Sequence, residues 1–162
     1  MMMRELIVSA LLFLVYIIFT GGASIYDIVT GVVVSLILGF ATGRYLVTNT
    51  DKLLQPKRLL YLVVYFIKYM TIIEAKAHYD LVKKVFSMNI RPGIVRVPVS
   101  TSSKYGRLLV ACSITNTPGT VVVAEKDGFF YVNWIDVKST DPHEARREIL
   151  EEFDRYAYKI FE

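Results

Sequence analysis

The first fifty residues contain two long apolar runs with few charges. Residues 6–19 form the first run and follow Arg4 and Glu5 directly. As a helix this run covers about 21 Å, less than the roughly 30 Å hydrocarbon core, so it spans a membrane only with its flanking residues. A signal peptide is the alternative, because a basic start, an apolar centre and the small residues at 21–24 fit one. The second apolar run begins almost at once, which argues against cleavage.

The second run, residues 28–43, is the strongest membrane signal in the chain. With its flanks it extends over residues 25–47, about 35 Å of helix, enough to cross a bilayer with some tilt. Gly31, Ser35 and Gly39 recur at every fourth position and share one stripe. Small residues let helices approach closely in lipid. We therefore predict a helix-packing face that requires a partner if the first helix does not cover it; ordinary membrane-helix composition is the alternative.

Residues 56–86 are amphipathic rather than continuously apolar. A third span would place Lys68 near the bilayer midplane, at a cost of about 3 kcal/mol. An amphipathic helix at the membrane surface avoids this cost. Its polar and aromatic stripe would contain Arg58, Tyr61, Tyr65, Lys68 and Thr71, and its opposite face Leu60, Val63, Val64, Ile67 and Met70.

Basic residues indicate the topology. The connection at residues 20–27 has no Lys or Arg, whereas the end of the second run is followed by a basic cluster. The positive-inside rule places that cluster in the cytoplasm. Two spans and a surface helix then leave the C-terminal domain cytoplasmic, in a multi-pass protein of the cell membrane in contact with the lipid bilayer. Three spans remain the alternative. The cluster consists of Arg44, Lys52, Lys57 and Arg58.

After Asn89 the pattern changes to short β-branched segments. Residues 94–99, 120–124 and 129–137 are predicted strands, and the last two are joined by a Lys-Asp-Gly turn. Ser102 or Ser103 would cap a helix between the first two strands. A last helix would start at the Asp141 cap, with Pro142 at its first position. Its apolar stripe would contain Ala145, Ile149, Phe153, Tyr156 and Ile160.

These elements predict a membrane-anchored α+β protein. Residues 1–48 would form a two-helix transmembrane hairpin. Residues 49–88 would form a basic loop and a long amphipathic linker helix, or a third membrane helix. Residues 89–162 would form a small β-α-β-β-α cytoplasmic domain.

Composition supports a membrane protein and argues against nucleic-acid binding. Hydrophobic residues make up 54% of the 162 residues and the mean hydropathy is +0.42, more apolar than an ordinary soluble domain. Residues 1–91 carry ten Lys and Arg against five acids, whereas 92–162 carry nine against ten. The positive excess lies in the membrane half, where it sets topology. Scarce Gln beside abundant Lys, Glu and Ile favours a thermophilic source.

We expect no catalytic site, cofactor or metal. The sequence contains no HExxH, CxxC or P-loop motif, and Cys112 is predicted to be a buried, inert thiol. The two apolar runs hold no ionisable residue, which an ion path through lipid would need. Lys68, Glu74 and His78 are the remaining candidates for an ion path. Glu74 and His78 share a helix face and could form half a metal site or a proton relay, but a solvated face is the simpler interpretation.

Residues 113–125, SITNTPGTVVVAE, contain a cluster of hydroxyls that could bind a ligand or turn the chain. Pro118 and Gly119 fit the two central positions of a type II turn. Thr115, Thr117 and Thr120 can bond nearby backbone groups. We therefore predict a structural turn. Docking onto a neighbouring subunit and small-ligand binding are the alternatives.

Four segments of the C-terminal half carry a resemblance to a known family. They are NIRPGIVRVPV, SITNTPGTVVV, YVNWIDV and EILEEFDRYAYKIFE. In order and spacing they are similar to the E-type subunit of the multisubunit Na⁺/H⁺ antiporters of the Mrp or Mnh type, including its homologues in archaeal membrane-bound hydrogenase-like complexes. The sharpest motifs are Arg91-Pro92-Gly93 and SIT-TPGT, which covers residues 113–115 and 117–120. Asn116 departs from the family, which more often has an apolar residue there.

The resemblance implies a non-catalytic accessory subunit that supports monovalent cation transport by larger integral-membrane partners. A membrane-bound hydrogenase or related complex I-like respiratory complex, in which ion pumping is coupled to electron transfer, is the alternative host. Two other functions stay open. One is direct ion transfer through Lys68, Glu74 or His78, and the other is a membrane-anchored enzyme or ligand sensor that uses the Thr-rich turn.

Overall fold

The computed structural model describes residues 2–22, 24–47 and 55–162. The chain divides into two compact units, Met1–Leu54 and Gln55–Glu162. The three-part division at 1–48, 49–88 and 89–162 remains a prediction, and the basic residue Lys52 lies outside the described residues.

The first unit is a hairpin of α1 (Met2–Thr20) and α2 (Ile25–Leu46). Both helices are long and apolar enough to cross a membrane, and no other helix in the described ranges meets the same criteria. A capping box starts α2, in which the Asp27 N–H donates to the Ser24 hydroxyl and the Ser24 N–H donates to the Asp27 carboxylate, each at 3.2 Å. Asp27 therefore serves helix initiation at the edge of the apolar run.

The small residues of α2 lie against α1. Gly31, Ser35 and Gly39 are buried, and Gly43 extends their stripe by one turn. A Cβ added at Gly39 would lie 2.8 Å from the backbone nitrogen of Ser9. Backbone therefore contacts backbone, and because α1 covers the stripe, the stripe alone does not require a partner protein.

The second unit begins with a long helical arm, residues 56–87. The arm consists of α3 (Pro56–Lys68), a π-helical turn (Tyr69–Ile73) and α4 (Glu74–Ser87). Pro56 starts α3, where its missing N–H needs no partner. Met88 ends α4 in the left-handed conformation, with φ of 53°.

The rest of the second unit is a three-stranded sheet with helices on one face. Its elements are β1 (Gly93–Pro98), α5 (Lys104–Asn116), β2 (Thr120–Lys126), β3 (Phe129–Trp134), α6 (Pro142–Ile149) and α7 (Glu151–Phe161). The central strand β3 pairs antiparallel with β1 and β2. The α+β layout with two apolar N-terminal helices is confirmed.

Three local predictions need correction. The predicted last helix is two helices, because Leu150 has φ of −132° and its side chain is buried in the core. Strand β3 ends at Trp134, since the chain beyond it leaves the sheet and Asp136 pairs with Arg91. Cys112 was predicted to be buried, but it is exposed on α5.

The core lies between the inner face of the sheet and the helices, and two tyrosines of the arm belong to it. Tyr65 was assigned to a polar surface stripe, but it is buried, as is Tyr69 one turn further on. Their rings fill the core while their hydroxyls bond to α5, so a tyrosine stripe can serve as a buried face. Other core residues are Val95, Val97, Val110, Ile114, Phe130, Val132, Trp134, Ile149, Phe153 and Ile160.

Candidate functional site

The three candidate ion-path residues all lie on the arm. Lys68, at the end of α3, forms an ion pair with Glu152 of α7. The hydrogen bond to Glu152 raises the pKa of Lys68 above its usual range. The charged Lys68 side chain therefore connects the arm to the rest of the second unit through an ion pair.

Glu74 and His78 lie six and ten residues further along the arm, away from the Lys68 pair. Glu74 Oε1 lies 3.3 Å from the Thr117 hydroxyl oxygen, and His78 Nδ1 lies 3.6 Å from Glu74 Oε2. In the described parts of the chain, no three His, Cys, Asp or Glu side chains are grouped so that they could hold a metal ion. The structure thus joins Glu74 with His78 and Thr117, and Lys68 with Glu152.

Glu5 precedes the first apolar run of the sequence, but in the structure it lies within α1. Glu5 is in the first turn of this helix, is buried, and its Oε2 has no hydrogen-bond partner among the described residues. A carboxylate is favoured by the helix dipole at this end. Glu5 is therefore at the rim of the candidate span rather than at its middle.

Tyr65 and Tyr69 form a polar contact with α5 that the sequence analysis missed. The Tyr65 hydroxyl is hydrogen-bonded to Ser113 Oγ. Asn116 Nδ2 donates to the Tyr69 hydroxyl at 3.0 Å, which gives a role to the residue that departs from the family. Burial raises the pKa of Tyr65 to about 12 and also raises that of Tyr69. Both phenols therefore stay protonated under physiological conditions.

The Thr-rich segment bonds mainly to its own backbone. Gly119 has φ of 96°, and the Thr120 N–H donates to the Thr117 carbonyl at 3.3 Å. The Thr117 hydroxyl donates to the Ser113 carbonyl and that of Thr120 to the Ile114 carbonyl, each at 2.7 Å. Thr115 Oγ1 accepts the Val122 N–H at 3.3 Å. These hydrogen bonds of the threonine hydroxyls stabilise the turn between α5 and β2.

The Arg91-Pro92-Gly93 motif lies where the arm, β1 and the chain after β3 meet. The Val137 N–H donates to the Arg91 carbonyl at 2.8 Å. Asp136 pairs with Lys84 at 3.2 Å and with Arg91 at 3.4 Å. Although burial opposes it, these two cations hold the pKa of Asp136 below its usual range. A Cβ at Gly93 would lie 3.2 Å from the Val137 side chain, so the motif fits a close crossing of two segments.

Two carboxylates of the last helical segment fix the loop between β1 and α5. Asp154 is buried; it accepts the Ser100 N–H at 2.9 Å and the Thr101 N–H at 3.1 Å, and it pairs with Arg146 at 2.5 Å. Glu162 accepts the Ser103 N–H at 2.9 Å. Backbone N–H groups, first that of Ser103, hold the pKa of Glu162 at about 2. No sequence motif pointed to these contacts, because acids on an exposed helix face look alike in sequence.

An open groove of about 740 Å³ runs between α4, the Thr-rich turn and the α6–α7 segment. Lys76 and Lys83 line it from α4, and Trp134 and Leu150 are among its apolar residues. Its ion pairs include Lys138 with Glu148 at 2.5 Å. This mixed lining resembles an ordinary solvated cleft more than an enclosed ligand pocket.

Comparison with known proteins decides the family. A family model described as "Na+/H+ ion antiporter subunit" matches residues 9–160. The chain belongs to this antiporter subunit family. The match extends over both units and confirms the resemblance inferred from the two motifs.

The chain is also similar to one curated relative and to chains of two solved complexes. The E-type subunit of the Na⁺/H⁺ antiporter of Alkalihalophilus pseudofirmus is 26% identical over 161 residues, which cover 96% of this chain and 97% of the relative. A chain of the archaeal membrane-bound sulfane sulfur reductase, a respiratory membrane complex, has a similar structure, with a TM-score of 0.86 and 28% identity over 98% of this chain and 99% of that one. A chain of the Mrp complex of Dietzia sp. matches at 22% identity and a TM-score of 0.41, over 67% of this chain and 99% of that one.

The family assignment supports the role of an accessory subunit in a cation antiporter module. Its relatives are subunits of membrane complexes, and two apolar helices here suit that setting. The expected partners are accordingly other subunits of such a complex.

Proposed function

We propose that the chain is a non-catalytic assembly subunit of a cation/proton antiporter module. The α1–α2 hairpin crosses the membrane, the arm lies at the bilayer surface, and the α+β domain is cytoplasmic. The observation that supports this proposal is the local pairing of Lys68 with Glu152 and of Glu74 with Thr117 and His78. Side chains tied into one folded unit serve its stability, and ion movement is left to larger integral-membrane partners.

A second host is a redox-driven respiratory complex. This alternative is favoured by the TM-score of 0.86 to a chain of the archaeal sulfane sulfur reductase. In such a complex, electron transfer in other subunits would be coupled to ion pumping, and the role of this chain would stay structural. Isolating the native complex in mild detergent and identifying its subunits by mass spectrometry distinguishes the two hosts.

The triple variant K68Q/E74Q/H78Q tests whether the arm takes part in ion transfer. We expect Na⁺/H⁺ antiport per assembled complex to stay within about twofold of wild type, because these side chains are engaged within the second unit. A residue that carried the proton or cation would be essential to transport. Antiport is measured in inside-out vesicles and normalised to the amount of complex. The control is E152Q, which removes the same ion pair but retains Lys68, Glu74 and His78. Complexes that assemble normally but lose transport in the triple variant alone would refute the structural role.

Cys112 offers a test of topology. It is the only cysteine in the chain and is exposed, so a membrane-impermeant maleimide should label it in inside-out vesicles and not in intact cells. Labelling is measured on the affinity-tagged chain after the reaction, with the C112S variant as the control for background. Equal labelling in intact cells would place the α+β domain outside.

A further inference from the structure

We propose that the π-helical turn at Tyr69–Ile73 sets the rotation of α4, so that the arm presents one apolar face to the lipid surface along both α3 and α4. The inference rests on the proposed membrane placement and extends it. In this proposal α4 contacts lipid in addition to α3, and the π-helical turn aligns the apolar faces of these two helices.

Both helices of the arm expose large apolar side chains. In α3 the exposed residues include Leu60 and Ile67, and in α4 they include Val82, Val85 and Phe86. Phe86 is 85% exposed, which is unusual for an aromatic residue in a well-formed helix. Exposed apolar patches of this kind mark contact surfaces.

The spacing of these residues contains one irregular step. Leu60, Val63, Ile67 and Met70 follow one another at intervals of three and four, as do Ala75, Tyr79, Val82 and Phe86. Between Met70 and Ala75 the interval is five, and this step lies at the π-helical turn, where the Glu74 N–H donates to the Tyr69 carbonyl.

The irregular step has a geometric consequence. At about 100° per residue, an uninterrupted α-helix would direct Phe86 roughly 160° away from Met70, almost to the opposite face. A π-helical turn holds about one more residue than an α-turn and so rotates the following helix by roughly a quarter-turn. With that rotation Val82 and Phe86 come within about 70° of Met70, and one apolar face continues along the arm.

The side of the arm opposite its apolar face contacts the rest of the second unit. These contacts lie before, within and after the π-helical turn. Lys68 pairs with Glu152 just before it, Tyr69 is buried within it, and Glu74 contacts the Thr117 hydroxyl just after it. Further on, Lys84 of α4 pairs with Asp136 at 3.2 Å. The polar attachments thus occupy one side and leave the apolar side uncovered.

Charge and chain length identify lipid as the occupant. Residues 56–87 carry six Lys and Arg against two acids, which suits anionic headgroups. Nine residues separate Leu46 of α2 from Pro56 of α3, so the arm follows a candidate spanning helix closely along the chain. Amphipathic helices of this composition bind in the interface, with the apolar face in the acyl region and the cations among the headgroups.

Site-directed spin labelling of the full chain tests the inference. In a C112S background, single cysteines at Ile67, Phe86 and Asp80 carry nitroxides, and the protein is reconstituted in phosphatidylcholine vesicles with phosphatidylglycerol. Asp80 lines the groove and is the aqueous control. We expect lipid-dissolved oxygen to relax the labels at 67 and 86 several-fold more than a water-soluble nickel chelate does, and the reverse at 80.

Insertion of one alanine after Thr71 tests the role of the π-helical turn, and T71A is the matched control that keeps the residue count. At about 100° per residue the insertion should rotate α4 to roughly 170° from Met70, leave the label at 67 in lipid and move the label at 86 several-fold towards the nickel chelate. T71A should change neither label. Circular dichroism verifies that both variants keep their helices.

Each other outcome would overturn the inference. If the label at 67 is in lipid but the one at 86 is aqueous in the C112S parent, α4 is not a lipid contact, although the membrane placement of α3 stands. If both are aqueous, the membrane placement fails as well. If the label at 86 is shielded from both reagents in the native complex, a partner subunit covers the face. An unchanged label at 86 after the alanine insertion would show that the turn does not set the rotation.

Discussion

Replacing Gly39 with leucine should open the α1–α2 hairpin and prevent the chain from entering its complex. A Cβ at this position would lie 2.8 Å from the backbone nitrogen of Ser9 and 2.9 Å from its Cα, and backbone cannot move aside as a flexible side chain would. Overpacking of about 3 kcal/mol corresponds to a shift of more than a hundredfold between packed and separated helices. The measurement is the amount of tagged chain that co-purifies with the other subunits.

Ala41→Leu is the matched control for this substitution. Ala41 lies on the exposed side of α2, so the same leucine is added to the same helix without a contact to α1. We expect A41L to assemble like the wild type. Equal assembly of G39L and A41L would mean that close hairpin packing is not required in the complex.

Replacing Asp154 with alanine should destabilise the second unit by about 3–5 kcal/mol, the usual effect of breaking a buried ion pair by removing one partner. Arg146 would lose the carboxylate that it contacts at 2.5 Å, and the N–H groups of Ser100 and Thr101 would lose their acceptor. Thermal unfolding of the detergent-solubilised chain, followed by circular dichroism, measures the loss. D154N, which keeps an acceptor oxygen but no charge, should lie between wild type and D154A.

Glu148→Ala provides the comparison for the ion-pair experiment. Its ion pair with Lys138 is about half exposed, at 47% and 55%, and exposed pairs contribute only about 0–1 kcal/mol. If D154A unfolds no earlier than E148A, the buried pair does not stabilise the loop between β1 and α5 as we infer.

The sequence predicted those parts of the fold that depend on local patterns. The two apolar runs predicted α1 and α2, and the Asp141-Pro142 pair predicted the start of α6, because hydropathy and capping act within a few residues. Gly31, Ser35 and Gly39, which the sequence singled out by their spacing, are buried in α2, and Gly43 extends this stripe by one turn.

Other parts could not be predicted, because they depend on partners distant in the chain. Tyr65 and Tyr69 fit an interfacial stripe as well as a buried face, and only Ser113 and Asn116, more than forty residues away, decide between the two. Asp154 looks like other helical acids until the loop after β1 is positioned against it. The five-residue step in the arm was visible in the sequence, but an amphipathic pattern by itself does not distinguish a π-helical turn from a change of face.

The position of Trp134 gives the protein a built-in optical reporter. It is the only tryptophan in the chain and is just 7% exposed, within the core of the second unit. Its emission should therefore be blue-shifted in the folded protein and move to longer wavelength when that core opens. Because the first unit contains no tryptophan, its helices will be silent in this signal, and the stability of the α+β domain can be followed separately in the intact protein.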